Sequence, residues 1–153
     1  MMRIGVISDT HGLLRPEAVR QLATVDHIIH AGDIGSPEVI RELEKIAPVV
    51  AIRGNNDKGE WASDIPDDAV VTLGNRRIYV LHNVNDLDCD PAAVGFDIVI
   101  SGHSHRPSAK IKDGVLYLNP GSAGPRRFTL PIAVAMLELT EDRINPRIYE
   151  IAV

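Results

Sequence analysis

The chain has a single cysteine, Cys89, among its 153 residues, which excludes an intrachain disulfide framework and fits a reducing compartment. Its simplest reading is a small, half-buried hydrophobe rather than a nucleophile. Long apolar runs are missing as well. The N-terminal one spans only Ile4 to Ile7, too short for a signal peptide or a membrane span. A cytoplasmic protein with no membrane association is therefore expected. Net positive charge is absent too: the balance of −5 argues against a general binder of nucleic-acid backbones, which would carry a basic face. It leaves phosphate substrates open, because bound cations invert the local field. No repeat, low-complexity tract or linker divides the sequence, so residues 1–153 read as one domain, long enough for a two-sheet or sheet-plus-helix core.

What is present starts with three strand–helix repeats. Arg3 to Ser8, Asp26 to His30 and Pro48 to Arg53 are short, β-branched-rich runs without alternation, the pattern of strands covered on both faces. Pro16 opens a helix to about Leu22. Ser36-Pro37-Glu38 reads as an N-cap followed by proline at the first helical position of a helix to about Ile46. Just past the three strands come Asp9-Thr10-His11, Gly32-Asp33 and Gly54-Asn55-Asn56-Asp57. In open α/β sheets this edge is where ligands bind. A turn or a cap explains any one of these polar groups, but not their recurrence at one edge. His30 also lies at a strand end, within reach of the same cavity, whereas His27 reads as structural.

Beyond Trp61 the pattern changes. Val70–Leu73 and Arg77–Leu81 flank Gly74-Asn75, a hairpin signal and the entry to a second sheet, whose second strand ends at His82-Asn83. Asp90 caps a short helix, and a strand from Asp97 to Ile100 runs into Gly102-His103-Ser104-His105. Two histidines one residue apart beyond a strand end point the same way, as a metal claw or as a solvent-facing loop. A further hairpin turns about Asp113-Gly114. The turn-rich Asn119-Pro120-Gly121-Ser122 stretch follows, with Pro125-Arg126 behind it. Ile132–Leu139 and Arg143–Ile151 close the chain as antiparallel strands, the last an edge marked by Pro146. An exposed edge there allows a homodimer.

Collected, the strand-end groups are Asp9, His11, Asp33, Asn55, His82, His103 and His105. Carboxylate, amide and imidazole without thiolate suit borderline to hard divalent ions such as Mn²⁺, Fe²⁺, Zn²⁺ or Ni²⁺. Seven groups exceed the needs of one ion and suit two, which can jointly clamp the oxygens of a phosphoryl displacement. A bridging carboxylate is then required, and Asp33 is the natural candidate.

Through five ordered blocks, Asp9-Thr10-His11, Gly32-Asp33, Gly54-Asn55-Asn56-Asp57, His82 and Gly102-His103-Ser104-His105, the chain resembles the calcineurin-like metallophosphoesterases. It is most similar to their small single-domain phosphodiesterase branch. The resemblance implies a four-layer α/β/β/α sandwich, an α/β fold of two mixed sheets flanked by helices. It also implies phosphodiester hydrolysis by a metal-bridging hydroxide; cyclic nucleotides, other small diesters and nucleic-acid ends are open as substrates, the acidic balance disfavours long nucleic acid, and Mn²⁺ leads the candidate ions ahead of Ni²⁺, Fe²⁺ or Zn²⁺. By this likeness Asp9, His11, Asp33 and His105 hold one ion, and Asp33, Asn55, His82 and His103 the other. Asp33, Asn55 and His82 are the ligands carried over as catalytic. Asn56, Asn83 and Arg126 are expected to touch substrate. Asn56 stands where many members have a histidine that protonates the leaving group, and an amide cannot do so. Water, Asp57 or His30 would have to replace it. Asn83 stands where glycine commonly follows the histidine, so its side chain would narrow the pocket or bond a substrate oxygen. The alternative function is a non-catalytic protein-binding scaffold, like the retromer subunit that resembles this branch.

Overall fold

A computed structural model describes all residues, 1–153. Its first sheet holds β1 (Met2–Ile7), β2 (His27–His30) and β3 (Val49–Ala51) in parallel, with β9 (Ala133–Leu139) and β10 (Ile144–Glu150) added antiparallel in the order β10-β9-β1-β2-β3. The crossovers carry α1 (Pro16–Gln21) and α2 (Pro37–Glu44). The second sheet holds β4 (Asp68–Leu73), β5 (Arg76–Leu81), β6 (Ile98–Ile100), β7 (Ser108–Lys112) and β8 (Val115–Asn119), in the order β4-β5-β6-β8-β7.

The absence of alternation in β1 has the expected cause. Ile4 and Val6 enter the core between the sheets, while Ile7 packs with Ala18, Leu22, Val39 and Leu43 of the α1 and α2 regions on the other face. The second sheet alternates instead. Ile78, Val80, Ile98, Ile100, Leu116 and Leu118 face inward, and Leu81, Val99 and Val115 form a small cluster outside with Tyr79, Leu87 and Tyr117. The expected layers are present, but the fourth is thin. Its helix, α3 (Pro91–Val94), has four residues, capped by the Asp90 carboxylate on the Ala93 amide. Both hairpins turn where expected, with Asn75 and Asp113 in left-handed backbone.

Three local readings are corrected. Ser36 occupies the N-cap of α2, but its side chain makes no capping bond. The third strand is only Val49–Ala51, because the backbone beyond it leaves the sheet: the Arg53 amide bonds to the Pro66 carbonyl. The helix expected to reach Ile46 ends at Glu44. No helix is long and apolar enough to cross a membrane.

Candidate metal centre

The loops after β1, β2, β3, β5 and β6 meet at one end of the sandwich. Backbone bonds fix the first two loops together: Asp9 and His11 amides donate to the Gly32 and Asp33 carbonyls at 2.9 Å each. The Gly102 amide donates to the His82 carbonyl at 2.9 Å and joins the loops of the second sheet. Across the two sheets, the His103 amide donates to Asp9 Oδ2 at 3.1 Å. Glycines permit this convergence. A Cβ on Gly54 would collide with the Asp33 amide and carboxylate, and one on Gly102 with the Ser8 hydroxyl.

The backbone under the site is strained. Eight non-glycine residues have positive φ, and five are Asp9 (55°), His11 (47°), Asp33 (53°), His103 (70°) and His105 (62°). The left-handed region costs an L-residue on the order of 1 kcal/mol or more, and such outliers concentrate at functional sites. Turn formation accounts for Asn75 and Asp113, and turns closed by Leu13 on Thr10 and by Ser104 on Gly102 also span His11 and His103, but no such turn holds Asp9, Asp33 or His105.

The side chains so aimed converge on Asp9 Oδ1. His105 Nε2 lies 3.4 Å from it, His82 Nε2 3.8 Å and His11 Nε2 3.9 Å. Asp33 Oδ2 lies 3.2 Å from His82 Nε2 and 3.8 Å from His11 Nε2. Asp9 with His11 and His105, and Asp9 with Asp33 and His82, each bring three donor atoms within 4.8 Å of one another. Asp9 Oδ1, His11 Nε2 and His82 Nε2 are buried and have no hydrogen-bond partner. Such atoms cost free energy unless something satisfies them. His82 Nδ1 is 2.7 Å from the Ala31 carbonyl, so it carries the ring proton and turns the Nε2 lone pair toward two carboxylates. Only a proton or a cation relieves that opposition. The donor set, free of thiolate, fits a borderline to hard divalent ion.

The local field follows from the same contacts. Burial pushes Asp33 upward, but the His82 ring 3.2 Å away and the Asn56 amide at 2.9 Å outweigh it and hold the carboxyl at about 2. Burial pushes His82 downward, and the Asp33 carboxylate beside Nε2 together with the Ala31 carbonyl on Nδ1 overrides it to raise its affinity for a proton. A metal ion would displace that proton.

A model of the calcineurin-like phosphoesterase superfamily domain matches residues 2–142. A probable metallophosphoesterase of Methanothermobacter thermautotrophicus is 34% identical over 159 aligned residues, covering 96% of this chain and 91% of that protein. The chain belongs to the calcineurin-like phosphoesterase superfamily. Among solved structures, a novel archaeal phosphodiesterase superposes with a TM-score of 0.80 at 29% identity, over 97% of this chain and all of that one (100%). Vps29 of Chaetomium thermophilum superposes at 0.79 and 19% identity, over 99% and 97% of the two chains, a likeness of fold. Membership makes this a metallophosphoesterase-type domain and implies divalent ions, which the donor set suits.

The other expected residues of this phosphoesterase are arranged around that centre. Asn55 and Asn83 line a cleft of about 500 Å³ together with His82, Arg53 and Tyr79. Asn55 is exposed, and Asn83 Oδ1 accepts from the Asn85 amide at 3.0 Å, capping the short turn beyond β5. Asn56 reaches Asp33 through its backbone amide, while its side chain is exposed. His103 packs edge-on to His82 with ring centroids 5.2 Å apart. Arg126 lies on the opposite flank, in a cavity of about 210 Å³ with His11 and His105.

Two expected proton donors are excluded. His30 is fully buried; its Nδ1 accepts from the Gly32 amide at 3.1 Å and its Nε2 meets the Thr10 hydroxyl at 3.0 Å. Burial outweighs the nearby carboxylates and lowers it to about 4, so it is neutral at pH 7 and supports the loop from behind. Both Asp57 oxygens are occupied by the amides of Ile34, Gly35 and Gly54, at 2.9–3.0 Å. It is the brace of the third loop and has no proton to give.

The sequence reading missed this brace, the Ser8 hydroxyl that donates to Asp9 Oδ2 at 2.7 Å, and the Ser122 hydroxyl on the Asp9 carbonyl at 3.0 Å. It also missed the acid wall of the larger cleft, Asp67, Asp68, Asp86 and Asp88. The Asn-Asn-Asp run was the available signal for an Asx-type brace. The wall has none, because its carboxylates come from two separate segments, one at the start of β4 and one beyond β5.

Proposed function

We propose that this phosphoesterase hydrolyses small phosphodiesters with the help of two divalent ions, most simply Mn²⁺, with Ni²⁺, Fe²⁺ or Zn²⁺ as substitutes. The observation that carries the reading is the convergence of unpartnered buried donor atoms from Asp9, His11 and His82, the first two on left-handed backbone. The ions would supply Lewis acidity and an activated water at neutral pH. Asp9, His11, Asp33 and His105 would hold one, and Asp33, Asn55, His82 and His103 the other, with Asp33 shared. The chain's own part is positional: Ser8, the Asn56 amide and the Ala31 carbonyl orient Asp9, Asp33 and His82. With His30 and Asp57 engaged, the leaving group takes its proton from solvent, which favours diesters with good leaving groups. The name of the archaeal phosphodiesterase supports diester over monoester chemistry. In the acid wall Asp67 is paired with Arg53, but Asp86 and Asp88 have no cationic partner, and their charge repels a long polyanion and supports a small substrate.

The test is hydrolysis of bis(p-nitrophenyl) phosphate by chelator-stripped protein with Mn²⁺ or Ni²⁺ restored. Asp33→Asn, which keeps volume and tolerance of left-handed backbone, should lower turnover by about a hundredfold or more without loss of fold, since it removes a charge aimed at the reacting centre. Activity near wild type in that variant would remove Asp33 from the bridging role. Folded protein that binds two ions yet turns over nothing would favour the scaffold reading, which the Vps29 likeness of fold keeps open as a second outcome.

A further inference from the structure

The smaller cavity, about 210 Å³, is lined by His11 and His105 on one side and by Pro125, Arg126 and Arg127 on the other. The loop that carries the arginines is rooted on the backbone that holds the ligands. The Ala123 amide donates to the Ser8 carbonyl at 3.0 Å, and Arg15 donates to the Gly124 carbonyl at 3.2 Å. A Cβ on Gly124 would strike the Asp9 and Thr10 carbonyls. The Leu130 amide closes the tip on the Arg127 carbonyl at 3.1 Å. The root is therefore registered on Asp9 while the tip reaches outward.

At that tip Phe128 is 88% exposed and sits at φ 53°. The chain has two phenylalanines, and the other, Phe96, is buried and stacked on Tyr79 at 5.1 Å. An aromatic ring in left-handed backbone and in water is unfavourable on both counts, by strain and by exposed apolar area. The turn that Leu130 closes on Arg127 accounts for the left-handed backbone, but that position favours glycine or asparagine rather than a bulky ring. Phe128 follows directly in the chain on Arg126 and Arg127, which line the cavity with His105, a residue 97% buried whose Nδ1 has no partner, and there an exposed ring has a use: stacking on a planar group whose phosphate the arginines hold.

We propose that Arg126, Arg127 and Phe128 form a recognition arm for a nucleoside-type ester group, the guanidiniums on phosphoryl oxygens and Phe128 on the face of the base. The inference rests on the phosphodiesterase reading and names the substrate class. On the opposite flank the acid wall repels a further phosphate, so the substrate is a nucleoside ester with one phosphoryl group rather than an oligonucleotide.

The experiment compares thymidine 5′-(p-nitrophenyl phosphate) with methyl p-nitrophenyl phosphate, which share a leaving group and differ in the base. Phe128→Ala, at an exposed position, should lower kcat/KM for the thymidine ester about tenfold and leave the methyl ester within about twofold, as loss of one stacked base requires. Phe128→Trp should restore it. Calorimetry of thymidine 5′-monophosphate and methyl phosphate provides a readout independent of turnover, with the thymidine preference lost in Phe128→Ala. Equal losses on both esters, or none on either, overturn the arm. Absence of turnover on both esters with the binding preference intact would overturn the hydrolytic reading and leave the arm standing. Absence of both would overturn the two together.

Discussion

At the scale of single residues, the site is a set of side chains held where the backbone resists them. His103 illustrates the balance. Its amide bonds Asp9 Oδ2 whatever the side chain, while its φ of 70° favours glycine. His103→Gly should therefore stabilise the chelator-treated protein by about 1 kcal/mol, a rise in Tm of about 2–4 °C by differential scanning fluorimetry. The same variant should gain less from added Mn²⁺ than the wild type does. A lower Tm in chelator would show that the imidazole packing against His82 outweighs the backbone strain.

At the scale of elements, the sheet edge is what the sequence made legible. Unbroken β-branched runs followed by Asp9, Asp33 and Asn55 announce parallel strands whose ends share a side, because each chain reversal is a helical crossover. The histidine pair and His82 were legible for the same reason in the second sheet, where β5 and β6 are also parallel. What stayed hidden were contacts between distant segments, which no local pattern encodes. Asp57 bracing the β2 loop, Ser122 on the Asp9 carbonyl and His30 on Thr10 belong to this class.

His30, at the end of β2, gives the element a pH signature. Its folded value of about 4 lies below the ordinary 6.5, because burial penalises the charged ring. Between these values the unfolded chain binds the extra proton, so stability rises with pH across that window and is lost as pH falls. In urea titrations with chelator present, His30→Asn keeps an acceptor for the Gly32 amide. It should flatten the slope between about pH 4 and 6.5 by up to about 1.4 kcal/mol per unit. A slope unchanged from wild type would mean that other groups carry the acid sensitivity.

At the scale of the whole molecule, two sheets leave four edge strands, β10, β3, β4 and β7. In β10 the bonds of Thr140 to Arg143 and of Ile151 to Ile132 place odd-numbered residues in hydrogen-bonded register with β9. Pro146 is even-numbered, so its nitrogen faces the open edge and costs the ladder nothing. It withholds one donor from any strand that would add there. If a homodimer forms through this edge, Pro146→Val should strengthen it. Sedimentation velocity at micromolar concentration should then show a larger dimer fraction in the variant, and an identical distribution would exclude this edge as the contact.

The left-handed residues of the site also bear on descent. Five positions resist the conformation that the site demands of them, whereas the core between the sheets does not depend on any of the five. At the histidines of this set, whose side chains brace no backbone amide, replacement by glycine thus moves downhill in folding free energy while it dismantles the centre. A lineage released from selection on turnover would drift in that direction, keeping its sandwich and shedding its donors. A catalyst of this build is one relaxed constraint away from being a stable, inert surface for other proteins to use.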